Sequence, residues 1–180
     1  MKNKKLEKSR NIVVPLLVVA ATLTTVNKTV VENIPHTVSK EIYHINSDDS
    51  YFKRCMKNND CKWMAQALYY EARSESDKGV TAVAHVILNR VNHRYWPSTI
   101  KGVITQPWQF SYRHDGSMNK GFTDKKQYVR VAVIAAKVLE GEIASPVGNS
   151  VYYHRYDVSN KWTKVKRKVA QIGNHVFRGE

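Results

Sequence analysis

The sequence predicts an α+β fold, in which a helical body is followed by a small C-terminal β element. Apolar residues recur at helical spacing through most of residues 61–139, whereas short β-branched and aromatic runs replace that periodicity after Pro146. The 180 residues suffice for one ordinary domain and an additional segment. Because 42% of them are hydrophobic, the domain can bury a sizeable core.

Three longer helices and one short helix are predicted in the body. The first spans residues 61–74, and the second, which starts at a serine or aspartate cap, spans 76–91 with apolar residues at i, i+3, i+4 and i+7. A short helix capped by a serine covers residues 98–104. The third long helix begins with a capping-box-like pattern and spans residues 124–141, where a glycine ends it.

The β element is predicted from three short runs, which are residues 151–153, 162–165 and 169–172. Residues 105–123, which precede the last long helix, contain proline, glycines and several aromatic residues, and they are predicted as an irregular loop. Loops of this length within a compact domain usually have a function or are disordered.

The N-terminus has the pattern of an export signal. Five lysine and arginine residues within residues 1–10 precede an uncharged stretch whose apolar part covers residues 12–23. This stretch is shorter than the roughly 20 apolar residues that span a bilayer comfortably. A cleaved signal peptide and a retained signal-anchor therefore both stay open for residues 1–26, with a buried core helix as a less favoured alternative. Residues 27–60 are predicted as a polar tether, and residues 61–180 as the folded domain.

The chain is strongly basic, with a formal net charge of +14 from 29 Lys+Arg and 15 Asp+Glu. Such a surplus attracts polyanions, which include nucleic acid, anionic lipid and anionic cell-wall polymer. Because the predicted export separates the chain from nucleic acid, we expect no nucleic-acid partner. The basic run at residues 164–168 has a second interpretation, as a solvated strand edge that opposes aggregation.

The two cysteines, Cys55 and Cys61, can form a disulfide in an oxidising compartment, closing a short loop before the first predicted helix. Two free thiols are the alternative. The sequence contains no further cysteine or histidine at zinc-finger spacing and no HExxH pair, so no metal site is expected.

Glu71 is the main candidate for acid–base chemistry. It follows Met64 by seven residues and Ala67 by four, so it shares the apolar face of the first predicted helix. Burial would disfavour the charged carboxylate and raise its pKa, which suits a general acid. Cleavage of a glycosidic bond requires such a proton donor. The alternative is a glutamate at the helix edge that pairs with Arg73 or Lys78.

Two further segments carry groups that can hold a sugar. Residues 106–116 concentrate amides, hydroxyls and aromatic rings, and they include Asp115 as a candidate second carboxylate. However, Asp115 followed by glycine is also a common turn signal. Residues 152–154 place two tyrosines and a histidine in a predicted strand, for which core packing is the alternative interpretation.

The same segments resemble the SleB/CwlJ-type cell-wall hydrolases, the family of the spore-cortex-lytic enzymes. Residues 67–73, ALYYEAR, resemble the YxEAR helix of that family, and residues 79–91, which end in ILNRV, resemble its second helix. The remaining similar segments, in chain order, are residues 97–104, 106–111, 114–116, 152–154, Trp162 and 172–177.

The resemblance implies a lysozyme-related α+β domain, with Glu71 as the catalytic acid. The implied activity is cleavage of peptidoglycan glycan strands between N-acetylmuramic acid and N-acetylglucosamine, by a lytic transglycosylase that needs no cofactor. The residues expected to bind the substrate are Gln109, Ser111, Asp115, Tyr152 and His154.

Two alternatives to this activity stay open. If Asp115 lies across the cleft from Glu71, the same bond can be hydrolysed; a non-catalytic peptidoglycan-binding module is the other class. We expect an exported monomer in the periplasm or cell wall, which is held at the inner membrane if its N-terminal segment is retained.

Overall fold

Residues 48–180, as described by a computed structural model, form a group of helices followed by a three-stranded sheet. The export signal predicted for residues 1–26 and most of the predicted tether lie outside this part of the chain. Within residues 48–180, no helix is both long enough and apolar enough to cross a membrane.

The helices and strands are named in chain order. The helices are α1 (48–57), α2 (Asn59–Ala72), α3 (Asp77–Val91), α4 (Ile100–Thr105), α5 (Lys125–Leu139) and α6 (Lys161–Val165). The strands are β1 (Tyr152–Arg155), β2 (Lys168–Ile172) and β3 (His175–Arg178), and two 3₁₀ helices cover Ser111–Arg113 and Ser117–Lys120.

Side-chain caps set the starts of the main helices, because each cap accepts a hydrogen bond from an amide that lacks a partner within the helix. Asn58 caps α2, Ser76 caps α3 and Asp124 caps α5. The observed bounds agree with the predicted helices to within two residues. For α4 the cap is Thr99, one residue after the predicted Ser98.

The core lies between α2 and the three other body helices, α3, α4 and α5, which all pack against it. The fully buried residues of these helices form one apolar cluster, which includes Met64, Leu68, Val83, Ile87, Val103 and Val131. Helix α2 is therefore the central element, and any polar residue on its inner face is held rigidly.

The sheet has the order β1-β3-β2, and both pairings are antiparallel. Tyr153 pairs with Phe177, which is fully buried in the core, whereas the next pair, His154 and Val176, lies on the other face of the sheet. One face of β1 therefore covers the helical body.

Two parts of the predicted β element differ from the structure. Residues 162–165, predicted as a strand, belong to α6, because Asn160 and Thr163 form a capping box that starts a helix there. Strand β3 was not predicted; it follows a tight turn in which Gly173 has a φ of 54°.

The tether prediction is wrong for residues 48–57, which form helix α1. Cys55 is 1% exposed, and Phe52 and Met56 pack against the core cluster. These residues form an apolar stripe at i, i+3 and i+4. The stripe was not predicted because residues 27–60 are polar on average.

Charged contacts also hold α1 to the end of α5. Arg54 donates two hydrogen bonds to Glu140, at 2.9 and 2.8 Å, and Lys137 pairs with Asp48 at 3.0 Å. The folded domain therefore begins before the predicted boundary at residue 61.

Cys55 and Cys61 are joined by a disulfide, with their Cα atoms 5.1 Å apart. The bond crosses the break between α1 and α2 at Asn58, and it links the first helix to the central one.

Candidate active site

Glu71 lies in the last turn of α2, the central helix, and its carboxyl group contacts strand β1 of the sheet. It is half-buried, next to residues of α2 that face the core. The Tyr153 hydroxyl, on β1, donates a hydrogen bond of 3.0 Å to its Oε2. The helix-edge alternative, in which Glu71 pairs with Arg73, is not what the structure shows, since Arg73 donates to the Tyr69 carbonyl.

The surroundings of Glu71 raise its pKa above the ordinary glutamate value. Burial is the largest cause, because it disfavours the charged form. The hydrogen bond from Tyr153 and the positive charge of Arg90 act in the opposite direction, while the charge of Asp115 adds to the increase. Burial also raises the pKa of Tyr153 well above its ordinary value, so its hydroxyl keeps the proton that it donates. The site therefore holds a carboxyl group that keeps its proton to a higher pH than an exposed glutamate does.

Arg90, at the end of α3, is the buried cation of the site, at 4% exposure. Its Nε donates to the Val151 carbonyl at 2.8 Å, and its guanidinium carbon lies 4.2 Å from the centre of the Trp96 ring. Val151 directly precedes the strand that carries Tyr153. Arg90 thus positions that strand and also places a positive charge near Glu71.

Asn89 fixes the same segment from one residue earlier. Its amide nitrogen donates to the carbonyls of Gly148 and Ser150, at 2.7 and 2.9 Å. The pair Asn89 and Arg90 therefore fastens residues 148–151 to α3. We did not identify either residue from the sequence; the available signal was an arginine seven residues after Val83, on the inner face of an apolar helix.

A cleft of about 870 Å³ opens in front of Glu71. Its walls are mainly aromatic, and three polar residues of the loop after α4 contribute amides and a hydroxyl. The aromatic lining residues are Tyr70, Tyr95, Trp96, Trp108, Tyr152, Tyr153 and Trp162, and the polar ones from that loop are Gln106, Gln109 and Ser111. Flat rings beside a few hydrogen-bonding groups are suited to a sugar, which has apolar faces and polar edges.

Four of the five residues expected to bind substrate line this cleft together with Glu71: Gln109, Ser111, Tyr152 and His154. Tyr152 lies between Trp96 and Trp162, with ring centres 6.2 and 6.0 Å away. These rings form one wall of the cleft.

His154 offers the cleft only the non-polar surface of its ring, because both ring nitrogens already form hydrogen bonds within the protein. Its Nε2 accepts from Arg178 Nε at 2.9 Å, and Nδ1 lies 2.7 Å from the Arg155 carbonyl. Since an arginine nitrogen can only donate, Nε2 is the acceptor and Nδ1 carries the proton. His154 therefore has no ring nitrogen available for a ligand.

Asp115 is not among the residues that line the cleft. It is exposed, and its Oδ1 accepts a hydrogen bond of 2.8 Å from the Ser117 amide in a turn where Gly116 has a φ of 80°. Hydrogen bonds from Ser117 lower the pKa of Asp115. This geometry matches the turn interpretation of the Asp-Gly sequence.

The described residues contain no group of three or more histidine, cysteine, aspartate or glutamate side chains that could hold a metal ion.

The chain belongs to the cell wall hydrolase family (Hydrolase_2), whose profile matches residues 74–178. The matched segment begins three residues after Glu71.

Among curated proteins, the chain is similar to spore cortex-lytic enzymes. That of Oceanobacillus iheyensis is 40% identical over 120 residues, which cover 66% of this chain and 41% of that protein. That of Bacillus subtilis (strain 168) is 35% identical over 121 residues, which cover 67% of this chain and 37% of that protein. The matched segment thus spans less than half the length of either relative.

Two solved structures share the fold. The catalytic domain of the germination-specific lytic transglycosylase SleB from Bacillus anthracis is 35% identical with a TM-score of 0.57, and the match covers 68% of this chain and 95% of that chain. The catalytic domain of the Bacillus cereus SleB protein is 34% identical with a TM-score of 0.56, covering 67% and 90%. The helical body with a small sheet is therefore the fold of a SleB catalytic domain.

Proposed function

We propose that this chain cleaves the glycan strands of peptidoglycan between N-acetylmuramic acid and N-acetylglucosamine, as a lytic transglycosylase with Glu71 as its one catalytic acid. The observation that carries the proposal is the half-buried Glu71 carboxyl, with its raised pKa, at an aromatic cleft. The similarity to spore cortex-lytic enzymes and to the SleB lytic transglycosylase domain supports it.

The proposed reaction needs only one carboxyl group. Protonated Glu71 gives its proton to the glycosidic oxygen, and the bond from that oxygen to C1 of the muramyl residue breaks. The 6-hydroxyl of the same muramyl residue bonds to C1, and its proton passes to the Glu71 carboxylate. The acid is thereby regenerated, and no water enters the product.

The chain's own residues would prepare this step. Tyr153 holds the Glu71 carboxyl in one orientation, and Arg90 stabilises the carboxylate that forms when the proton leaves. Gln109, Ser111 and Tyr152 would bind the sugars on either side of the bond. The ring of His154 would contribute surface rather than a hydrogen bond.

The substitution Glu71→Gln tests the acid, because it removes the transferable proton with almost no change in shape. We expect loss of cleavage of purified peptidoglycan by about 10²–10⁴-fold, the usual contribution of general acid catalysis. Asp60→Asn, which neutralises an exposed carboxylate in the first turn of the same helix, is the control and should cleave normally. More than a few per cent of activity in Glu71→Gln would exclude the role.

Mass spectrometry of the released fragments separates the alternatives. A transglycosylase leaves 1,6-anhydro ends, and a hydrolase leaves reducing ends that are heavier by one water. Reducing ends, together with loss of activity in Asp115→Asn, would establish hydrolysis by two carboxylates. Retention of the chain on peptidoglycan without any cleavage would establish a binding module.

We also propose that the chain is exported and acts as a monomer, in the periplasm or cell wall. The basic and apolar pattern of residues 1–26 supports export, with the inner membrane as the site of attachment if this segment is retained. A peptidoglycan substrate would require such a location. Mass determination of the mature protein distinguishes a cleaved signal from an anchor.

A further inference from the structure

Trp108 occupies a backbone position that favours glycine. The amide of Gln109 donates to the Gln106 carbonyl at 3.4 Å, which closes a turn with Pro107 second and Trp108 third. Proline fixes φ near −65°, and Trp108 has a φ of 64°, a combination that defines a type II turn. In this turn the third residue is usually glycine, because a side chain is strained at positive φ. Of residues 48–180, Trp108 is the only non-glycine with positive φ.

The indole of Trp108 does not compensate for this strain by packing into the core. It is 83% exposed, more than any other large hydrophobic residue that the structure describes. Its aromatic neighbour is His114, whose ring is stacked at 4.9 Å with an angle of 29° between the planes. One side of the indole is thus supported by His114, and most of its surface faces solvent.

The turn places Trp108 at the cleft. Gln106, Trp108 and Gln109 all line the space in front of Glu71, so the turn presents an indole between two amides. Strained residues that persist without a packing reason are concentrated at ligand sites, where geometry for the ligand outweighs the cost to the fold.

We propose that Trp108 is a substrate-binding residue, whose indole stacks on the apolar face of an N-acetylated sugar ring while His114 supports its other side. A pyranose ring presents C–H groups on its faces, and these are attracted to the electron-rich face of an aromatic ring. The flanking glutamine amides match the hydroxyl and acetamido groups on the sugar's edge. The identity of the ligand rests on the function proposed above.

Two substitutions separate binding from strain. Trp108→Gly removes the indole and also relieves the strain, whereas Trp108→Ala removes the indole but keeps the positive φ with a side chain. Binding is measured in the Glu71→Gln background, on soluble peptidoglycan glycan strands stripped of their stem peptides. The control is Tyr156→Ala, because Tyr156 is 58% exposed and does not line this cleft.

We expect both Trp108 variants to lose about tenfold in affinity, as is typical of a central aromatic contact. Trp108→Gly should at the same time raise the melting temperature by about 2–4 °C, which Trp108→Ala should not do. Tyr156→Ala should leave the affinity unchanged. A structural residue would give the opposite result, since its removal lowers the melting temperature.

Wild-type affinity in Trp108→Gly, or a lower melting temperature of that variant, would overturn the proposal. These outcomes are distinct from failure of the proposed function. If the Glu71→Gln protein binds the glycan strands but still cleaves them, Glu71 loses its proposed role; if the Glu71→Gln protein does not bind the glycan strands at all, both proposals fall.

Discussion

The Glu71 carboxyl is subject to opposing influences that come from different parts of the chain. Burial by the fold raises its pKa, and the Tyr153 hydroxyl and the Arg90 charge partly oppose that increase. Tyr153 is 82 residues away in sequence and belongs to the sheet. The proton affinity of the acid is therefore set jointly by the helical body and by β1.

Removing one of these influences should move the pH dependence of cleavage. In Tyr153→Phe, the carboxylate loses a hydrogen bond that stabilises its charged form, so the pKa of Glu71 rises further. Because the protonated acid is the active form in the proposed reaction, activity should persist to higher pH. We expect the alkaline limb of the kcat/KM profile to move up by about one pH unit, the equivalent of one hydrogen bond to a charged group.

Tyr152→Phe is the matched control for this measurement. The Tyr152 ring lies between Trp96 and Trp162, and Tyr152 is not among the groups that shift the pKa of Glu71, so removing its hydroxyl should leave the alkaline limb in place. A limb that moves down in Tyr153→Phe, or equally in both variants, would contradict the role assigned to the Tyr153 hydroxyl.

Among the elements, α1 is attached twice, to α2 by the disulfide and to the core cluster by its apolar stripe. In the chain-entropy model, a bond that closes so short a loop contributes about 2 kcal/mol to the free energy of unfolding. The double substitution Cys55→Ala/Cys61→Ala should therefore lower the melting temperature by several degrees and keep the fold.

Thermal unfolding of the wild type with and without reductant checks this expectation. The reduced wild type should match the double variant, and the double variant should not respond to reductant. If the reductant leaves the wild-type melting temperature unchanged, the bond does not contribute to stability.

Most of the helices, but not every element, could be predicted from local sequence. Helices α2, α3 and α5 were predicted to within two residues, because their caps and apolar periodicity are local signals. Helix α1 was missed, since its stripe is short and diluted by charged residues. The run at residues 162–165 has strand-like composition, and a local capping box makes it helical.

The candidate site could likewise be predicted only in part. Glu71 shares its face with core residues, so its half-burial follows from helix geometry alone. The hydrogen bond between Glu71 and Tyr153 depends on the strand pairing and on where the sheet packs against the helical body. Neither can be predicted from local sequence. Trp108 belongs to the segment 106–116 that the sequence marks as able to hold a sugar, but the strain at Trp108 is visible only in the backbone.

At the scale of the whole molecule, the domain starts with α1 rather than at the first recognisable motif. A fragment that begins at Ile45 keeps the packing of α1 and its contacts with α5, and it should fold and cleave peptidoglycan like the full chain. A fragment that begins at Cys61 lacks the disulfide, the apolar stripe and the pair of Arg54 with Glu140.

We expect the shorter fragment to unfold at least about 10 °C below the longer one, since the losses of the disulfide and of the packed apolar stripe add to each other. Circular dichroism during heating of both purified fragments provides the measurement. Equal melting temperatures would mean that α1 is dispensable for stability and that the folded domain begins at the predicted boundary, residue 61.

The attachment of β1 through Asn89 and Arg90 has a consequence for how the protein is made. Tyr153 lies 82 residues from Glu71 in the sequence, so the enclosure around Glu71 closes only after that intervening length of chain has been made and β1 has packed on the helical body. Until then the carboxyl is hydrated, and its pKa lacks the increase that burial causes in the folded domain. Under the proposed function, nascent or partly unfolded chains would therefore lack a competent acid, and cleavage would begin only when the domain has folded.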